Sequence, residues 1–371
     1  MQVCHITSVH PPFDTRIFHR ECQSLAQAGY NVTLIAPTHL ERDVVDGIRI
    51  IALPEIKRRY ERPRLWWRIV QEIRRMKPTI AHLHDPELLL IVPFLHPAKV
   101  VYDCHEPYAE TTQLRDWLPR PLRYPSSRLV AMLEPILASQ TSAIIVTEES
   151  HAIPFRRTKR PVVLVHNFPL LKDFGLAHCS DGKTVIHVGV NSEPRGCTAI
   201  VEAARRVAQQ VSEVKFLIIG DFDPPSYEEE IRQLVAAYGL ERNVFLKGRL
   251  PYANVPQWLA QSDIGLIPWQ GPAKFPTRVI PTKLFEYMSA RLPVVASDLP
   301  TTRRFMDGSD CGFLVDPGRP EELARSIGYL LMHPVEARRM GENGRRAIEE
   351  RYHWQIESAK LLDLYRQLGQ A

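Results

Sequence analysis

Residues 184–219 read TVIHVGVNSEPRGCTAIVEAARRVAQQVSEVKFLII, and the punctuation of this stretch decides the fold. Thr184–Val188 is a short apolar run of strand type that stops at Gly189. A polar loop follows, then Arg195-Gly196, then a segment over 197–209 with apolar positions at helical spacing. Lys215–Ile219 is a second short apolar run. Strand, loop, helix and strand in this order make a βαβ unit, whose right-handed crossover builds a parallel sheet.

The same alternation extends both ways. Upstream, strands are predicted over 2–8, 31–36, 48–53, 80–83, 100–103, 143–146 and 162–165. Helices are predicted over 17–28, 65–76, 86–95 and 129–139, the first stopped by Gly29. Residues 166–183 form a polar link, after which the pattern restarts. Downstream come strands over 244–247, 264–267 and 293–297, and helices over 227–238, 255–261, 321–332, 337–351 and 354–368. At 371 residues the chain is long for one hydrophobic core. The expectation is an α/β protein of two Rossmann-like, doubly wound domains facing a central cleft, with ligands beyond the carboxyl ends of the strands. The first domain would take residues 1–165 and the second 166–350, leaving 351–371 as a terminal helix.

Hydrophobic residues make up 44% of the chain and charged residues 24%, as in soluble globular proteins. A net charge of +5 permits an acidic ligand or an anionic membrane surface and does not call for nucleic acid. The six cysteines are scattered without Cys-x-x-Cys spacing, which argues against a zinc site or a secreted disulfide framework and for reduced thiols in the cytoplasm. MQVCHITSVH lacks the charged and apolar regions of a signal peptide. No apolar run approaches the ~20 residues that span a bilayer. No G-x-G-x-x-G follows the first strand of either half, which weakens a dehydrogenase reading.

The chemistry concentrates in FPTRVIPTKLFEYMSARLPVVASDLP, residues 275–300. Pro281-Thr282 open a helix on which Lys283 and Glu286 share a face. The free N–H groups and positive end of that helix, with Lys283, suit a phosphate, while Glu286 offers two acceptors to a sugar diol. An ordinary surface Lys/Glu pair has the same spacing. Arg195, just before a helix start, can fork a phosphate pair, and Gly196 lets backbone approach closely. No acidic residue lies between Asp263 and Glu286, whereas Lys274, Arg278 and Lys283 do, which suits an anion site.

In the first half, HLHDPE places His82, His84 and Asp85 at a strand's carboxyl end, and VYDCHEP does the same for Asp103, His105 and Glu106. His105 is read as functional, able to contact a sugar hydroxyl or handle a proton. His82 is read as structural. Asp221-Phe222-Asp223 has the Asp-x-Asp form of a divalent-metal site but is read as turn chemistry, so no metal ligands are assigned.

These residues resemble a known family, the retaining nucleotide-sugar glycosyltransferases of family 4, with the two-domain GT-B architecture. The resemblance runs through HITSVHPPFDTRIFHRECQSLAQAGYNVTLIAP (5–37), AHLHDPEL (81–88), VYDCHE (101–106), HVGVNSEPRG (187–196), VFLKGRLPYANVPQWLAQSDIGLIP (244–268), PTKLFEYMSARLPVVASD (281–298) and CGFLVDPGRPEELARSI (311–327). It looks most like the branch of bacterial polysaccharide and cell-envelope clusters. The resemblance implies a nucleotide-sugar donor held by the second domain and an acceptor facing the first. Arg195 and Lys283 would hold the donor diphosphate, Glu286 the ribose, and Gly189, Thr282 and the backbone of Gly248, Arg249 and Leu250 would frame the nucleotide. His105 would contact the transferred sugar, and with Arg195, Lys283 and Glu286 it makes the expected catalytic set. Asp14, Thr15, His84, Asp85 and Glu106 would lie on the acceptor side. The terminal helix would cross back to the first domain. Two departures stand out: Arg278 occupies the position of an earlier glutamate, and Val190 that of a diphosphate-binding Arg. Arg16 or Arg278 would compensate on the donor.

The implied reaction is metal-independent transfer with retention. The acceptor would be a glycan or lipid-linked sugar in cell-envelope or exopolysaccharide synthesis. No nucleic acid and no cofactor are expected. Trp66, Trp67, Arg68, Arg74 and Arg75, and farther on Arg115, Trp117, Arg120, Arg123, Tyr124 and Arg128, interleave cations with aromatics. They suit either a peripheral site on the inner face of the cytoplasmic membrane or a plain solvated basic face. A GT-B sugar-nucleotide epimerase and a non-catalytic nucleotide-sugar-binding protein are the alternative readings.

Overall fold

A computed structural model describes residues 1–39, 43–56, 58–113, 115, 118–270 and 281–370. Lys274, Arg278 and Trp117 lie outside the described residues. The chain divides into two compact units, one of Met1–Asn167 with Trp354–Ala371, the other of Phe168–His353.

The first unit is built on eight strands: β1 (Gln2–Ile6), β2 (Asn31–Pro37), β3 (Asp43–Val45), β4 (Ile48–Leu53), β5 (Ile80–Leu83), β6 (Lys99–Cys104), β7 (Ala143–Val146) and β8 (Val162–Leu164). Their order is β3-β4-β2-β1-β5-β6-β7-β8, parallel except for the β3–β4 hairpin. One face buries Cys4, Ile6, Ala81, Leu83, Tyr102 and Cys104 in an apolar cluster. Side chains alternate along a strand, so the residues between them, His5, His82 and Asp103, fall on the opposite face, where they are buried as well. The last helix, Trp354–Gln370, belongs to this unit: Trp354 Nε1 donates to Ser24 Oγ at 2.8 Å, and Glu357 accepts from the His166 backbone N–H at 2.9 Å.

The second unit carries six parallel strands: β9 (Thr184–Val188), β10 (Lys215–Ile219), β11 (Val244–Lys247), β12 (Ile264–Ile267), β13 (Val294–Ser297) and β14 (Gly312–Val315). Their order is β11-β10-β9-β12-β13-β14. Val185, Phe216, Ile218, Leu266 and Val295 enter one apolar cluster, while their neighbours Ile186, Leu217, Ile219, Ile267 and Val294 enter the other. Both faces of each strand are therefore buried under helices, which accounts for the unbroken apolar runs in the sequence.

Several elements differ from expectation. The segment predicted as a helix over 17–28 is a π-helix over Ile17–Cys22 continued by an α-turn over Gln23–Gln27. The helix expected from 129 runs over Arg120–Ala138, since Pro119 and Pro125 mask its start in the sequence. Pro86–Phe94 is a 3-10 helix, as Pro93 within it denies a regular α-helix its hydrogen bonds. β14 was not foreseen. Among the described residues no helix is long and apolar enough to cross a membrane.

Candidate functional site

In the second unit β9 lies between β10 and β12. From β9 the chain winds outward first to β11, then in the other direction to β14. The crevice beyond the carboxyl ends of β9 and β12 is thus the switch point at which such sheets bind ligands. Gly189 ends β9 with φ +126°, and a Cβ there would lie 3.1 Å from Nζ of Lys283. The backbone therefore passes directly beside the ammonium group.

Lys283 stands near the start of the Thr282–Ser289 helix and is only 6% exposed. Its Nζ donates to Nε2 of His187 over 3.3 Å, while His187 Nδ1–H donates to the Leu266 carbonyl over 3.0 Å. Burial, and after it the charge of Arg195, brings the Lys283 amine down to about 7; Glu286 pulls the other way. Burial and Lys283 likewise hold His187 well below its usual range, so its ring is neutral.

Arg195 closes the Glu193–Arg195 turn with its guanidinium 5.9 Å from the Trp269 ring centre. Gly196 follows at φ +83°, where a Cβ would overlap the Pro268 carbonyl oxygen, so only glycine lets the turn sit this close. Glu286, one turn beyond Lys283, accepts a hydrogen bond from Tyr252 Oη at 3.2 Å. Thr282, Gly248 and Arg249 are exposed, Leu250 is half-buried against the adjoining apolar cluster, and Arg249 lies 3.8 Å from Asp221. The second unit thus brings together Gly189, Arg195, Lys283 and Glu286. Val190 is exposed beside them.

Asp221 and Asp223 flank buried Phe222, which forms a parallel bridge with Asn191. Asp221 accepts through its backbone from Asn191, and Asp223 donates back to it. Neither belongs to a group of potential metal ligands among the described residues.

The first unit assembles its polar residues at its own switch point, between β1 and β5. Asp14 Oδ1 accepts from the backbone of Arg16 and Ile17 and so starts the π-helix; Thr15 is half-buried beside it. A π-helix bonds residues i and i+5, here Glu21 N–H to the Arg16 carbonyl at 2.9 Å. That winding brings Arg16 Nε to 2.9 Å from Glu21 Oε1, while the same guanidinium binds both oxygens of Asp103 and the Val165 carbonyl. Arg16, expected on the donor, is 3% exposed here, and its guanidinium donates to Asp103 and the Val165 carbonyl inside the first unit.

His84 and Asp85, expected on the acceptor side, are both buried in the first unit. Asp85 is buried and accepts from Ser8 N–H at 2.6 Å and Thr7 Oγ1 at 3.0 Å, anchoring the first loop. His84 is wholly buried between His5 and His105. His105 is 12% exposed, with Nε2 3.2 Å from Asp103. Glu106 is exposed and 3.9 Å from Arg115.

Burial opposes a charge on Asp103, but the charge of Arg16, helped by hydrogen bonding from His105, outweighs it and holds the carboxyl well below its ordinary range. Glu21 goes the other way, pushed well above by burial and by Asp103. Arg16 therefore favours the charged form of Asp103, while burial and Asp103 favour the protonated form of Glu21. His5, Glu21, His82 and His84 bring donor atoms within 4.8 Å of one another, as do His84, Asp103 and His105. However, the His82 and His84 rings stack with centres 4.6 Å apart, and His5 Nδ1 hydrogen-bonds His84 Nε2 at 2.9 Å. Parallel rings cannot both aim in-plane lone pairs at one central ion, so His82 and His84 do not share one; in the second group His84 Nδ1 and His105 Nε2 hydrogen-bond each other at 3.1 Å.

The sequence reading missed His187, Tyr252, Tyr365 and the pairing role of Glu21. His187 hides among the apolar residues of β9, and Tyr365 reaches β1 and β5 from the far end of the chain.

Residues 15–168 match the family model described as Glycosyltransferase Family 4, and residues 182–333 match that of Glycosyl transferases group 1. The phosphatidyl-myo-inositol mannosyltransferase of Mycobacterium leprae (strain TN) is 30% identical over 185 residues, which is 50% of this chain and 46% of that protein. The aligned part spans about half the length of the curated relatives the chain matches. Among solved structures, sucrose-phosphate synthase from Thermosynechococcus elongatus superposes with a TM-score of 0.78 at 19% identity, over 99% of both chains. HepE of Anabaena, solved with UDP-glucose, superposes with a TM-score of 0.75 at 15% identity, over 99% of this chain and 100% of that one. Both halves match their family models in order and the fold is that of GT-B enzymes; the chain belongs to the glycosyltransferases of family 4 type.

Proposed function

We propose that this chain transfers a sugar, with retention and without a metal, from a nucleotide-sugar to a glycan or lipid-linked acceptor of the cell envelope or of an exopolysaccharide. The observation that carries this reading is the pairing of Lys283 with Arg195 beside Gly189. Two cations, one buried, raise each other's energy in the empty site, and an anionic diphosphate relieves that repulsion. In the proposed reaction the donor's C1–O bond to the diphosphate breaks and the acceptor oxygen bonds C1 from the same face. The acceptor proton passes to a leaving phosphate oxygen. Lys283, Arg195 and the helix starts stabilise the charge that develops on the diphosphate, and Glu286 with Tyr252 would orient the ribose. His105 would touch the transferred sugar.

A membrane-facing acceptor is supported by the Arg120–Ala138 helix, which exposes a row of apolar side chains. It buries Ser127 and Glu134, whereas Leu129, Met132 and Ile136 are exposed on the outside with Arg120 and Arg128 nearby. Apolar side chains flanked by arginines suit an anionic lipid surface.

A thermal-shift screen against UDP-, GDP-, ADP- and dTDP-sugars, with and without EDTA, tests the donor site. A ligand that binds only the folded state raises its melting temperature. A shift with one nucleotide class that survives EDTA is expected. Binding with release of nucleotide but no acceptor-linked product points to an epimerase. Binding without turnover on envelope lipid extract points to a binding protein, and no shift with any nucleotide sinks the transferase reading.

A further inference from the structure

Five side chains of the first unit join end to end. His105 Nε2 lies 3.1 Å from His84 Nδ1, and His84 Nε2 lies 2.9 Å from His5 Nδ1. His5 Nε2 lies 3.2 Å from Tyr365 Oη, which lies 2.6 Å from His82 Nδ1. The two ends return to one atom, since Asp103 Oδ2 is 3.2 Å from His105 Nε2 and 3.6 Å from His82 Nε2. We propose that these groups form a hydrogen-bonded chain whose two ends lie against Asp103, which fixes the His105 proton on Nε2 and leaves Nδ1 as the acceptor for a sugar hydroxyl. The last clause rests on the functional reading above; the hydrogen-bonded chain does not.

Each neutral imidazole has one donor and one acceptor nitrogen, so a chain of them can point only two ways. In one, His105 Nε2–H donates to His84 Nδ1, His84 Nε2–H to His5 Nδ1, and His5 Nε2–H to Tyr365. Tyr365 Oη–H then donates to His82 Nδ1, leaving His82 Nε2–H directed at Asp103. In the other, every proton is reversed, and both ends turn a nitrogen lone pair onto the same carboxylate oxygen. Asp103 is ionised, held so by Arg16 against its burial, so that arrangement is repelled at both ends. Burial holds His5, His82 and His84 below their usual range, so the rings between are neutral. Also facing the chain are Glu21, 3.7 to 4.0 Å from His5, His82 and His84, His10, its ring 5.5 Å from that of His105, and, beside Tyr365, Cys22 and Tyr30, the latter's ring 5.9 Å away. Glu21 Oε2 faces two N–H groups and one lone pair in the first arrangement, and one N–H and two lone pairs in the second. Among the described residues none hydrogen-bonds Nδ1 of His105.

The polarity puts Tyr365 in an unexpected role. It lies on the terminal helix, far in sequence from the loop that carries His105. Its hydroxyl both receives the proton of His5 and supplies the one to His82, so it is a positioning residue for a ring it does not touch.

Histidine tautomers are read directly from long-range proton–nitrogen correlation spectra of the ligand-free, full-length protein labelled with 15N-histidine. Nε2–H is expected on His5, His82, His84 and His105. A proton on Nδ1 of His105 or His84 overturns the proposal. Tyr365→Phe removes the inner link, so His5 and His82 should move toward averaged tautomers and the change should reach His84. An unchanged His84 would reduce the hydrogen-bonded chain to separate pairs and also overturn the proposal. Should that variant fail to fold, the wild-type spectrum decides alone. The expected tautomers in a protein that binds no nucleotide-sugar would defeat the functional reading and leave the hydrogen-bonded chain standing.

Discussion

Nζ of Lys283 and Nε2 of His187 are 3.3 Å apart, and the imidazole presents a lone pair there because its other nitrogen donates to the Leu266 carbonyl. His187 therefore supports the amine without competing for a ligand's negative charge. With the amine near 7 in the empty site, Lys283 is largely neutral above that pH and charged below it. A bound diphosphate favours the charged form, so binding above pH 7 should take up a proton. Affinity for a nucleotide-sugar, whose diester phosphates do not titrate in this range, should fall as pH rises from 6.5 to 8.5. Calorimetry in buffers of differing ionisation enthalpy measures the uptake directly. Identical heats across buffers at pH 8 would disprove it.

Glu286 and Tyr252 make a separable pair. Glu286→Gln keeps the size but replaces one acceptor oxygen with a donor, so a ribose diol loses a charge-assisted hydrogen bond worth about 1.5–3 kcal/mol. Nucleotide-sugar affinity should drop roughly tenfold to a hundredfold. Tyr252→Phe leaves both carboxylate oxygens in place and removes only the hydroxyl that orients them, so it should cost less. Isothermal titration of both variants sets the order, and an equal or larger loss for Tyr252→Phe would assign the ribose contact elsewhere.

Glu21 gives a pH signature in stability. Its carboxyl is raised in the folded protein by burial first and Asp103 second. A raised folded value means that the stability it contributes is fully present below the unfolded carboxyl range and is lost as pH rises toward the folded value. Glu21→Gln mimics the protonated form and has no such slope. Urea midpoints from pH 5 to 8 should therefore move in favour of the variant as pH increases. Arg16→Met is the opposite case: it strands the Asp103 charge in the interior and should cost about 3–5 kcal/mol, visible as a lower urea midpoint at every pH above the acid range.

The same residues mark how far the sequence alone carries. Strand and helix alternation is local, and it located Thr184–Val188, Lys215–Ile219 and Ile264–Ile267 to the residue. The Lys283/Glu286 face and the Arg195-Gly196 turn were legible because their geometry is set within one helical turn. The pairing of Arg16 was not legible, because it depends on a π-winding that no hydrophobic period encodes and on an Asp103 eighty-seven residues away. His84 and Asp85 stand at a strand end, as read, but whether such residues face ligand or interior is decided by what covers them. Here the cover of His84 includes His5 and His105, and nothing near position 84 announces them.

The exposed apolar face of the Arg120–Ala138 helix leads to the final prediction. Ile136 is 56% exposed and Met132 55%, while Glu134 between them is buried and accepts from Tyr102 Oη at 2.7 Å. Glu134 and Ser127 thus face inward with Ala138, while Leu129, Met132 and Ile136 face outward. If that face docks on lipid, the protein should sediment with vesicles rich in anionic phospholipid at low salt and be released as salt screens Arg120 and Arg128. Met132→Glu with Ile136→Glu should abolish sedimentation while leaving the melting temperature and nucleotide-sugar affinity close to wild type, since neither side chain is buried. Loss of self-association in that double variant, with wild-type protein indifferent to vesicles, would instead assign the face to a second copy of the chain. Arg120→Ala with Arg128→Ala separates the two forces further. It should weaken binding to anionic vesicles and reduce its salt dependence, because the apolar insertion that remains is insensitive to screening.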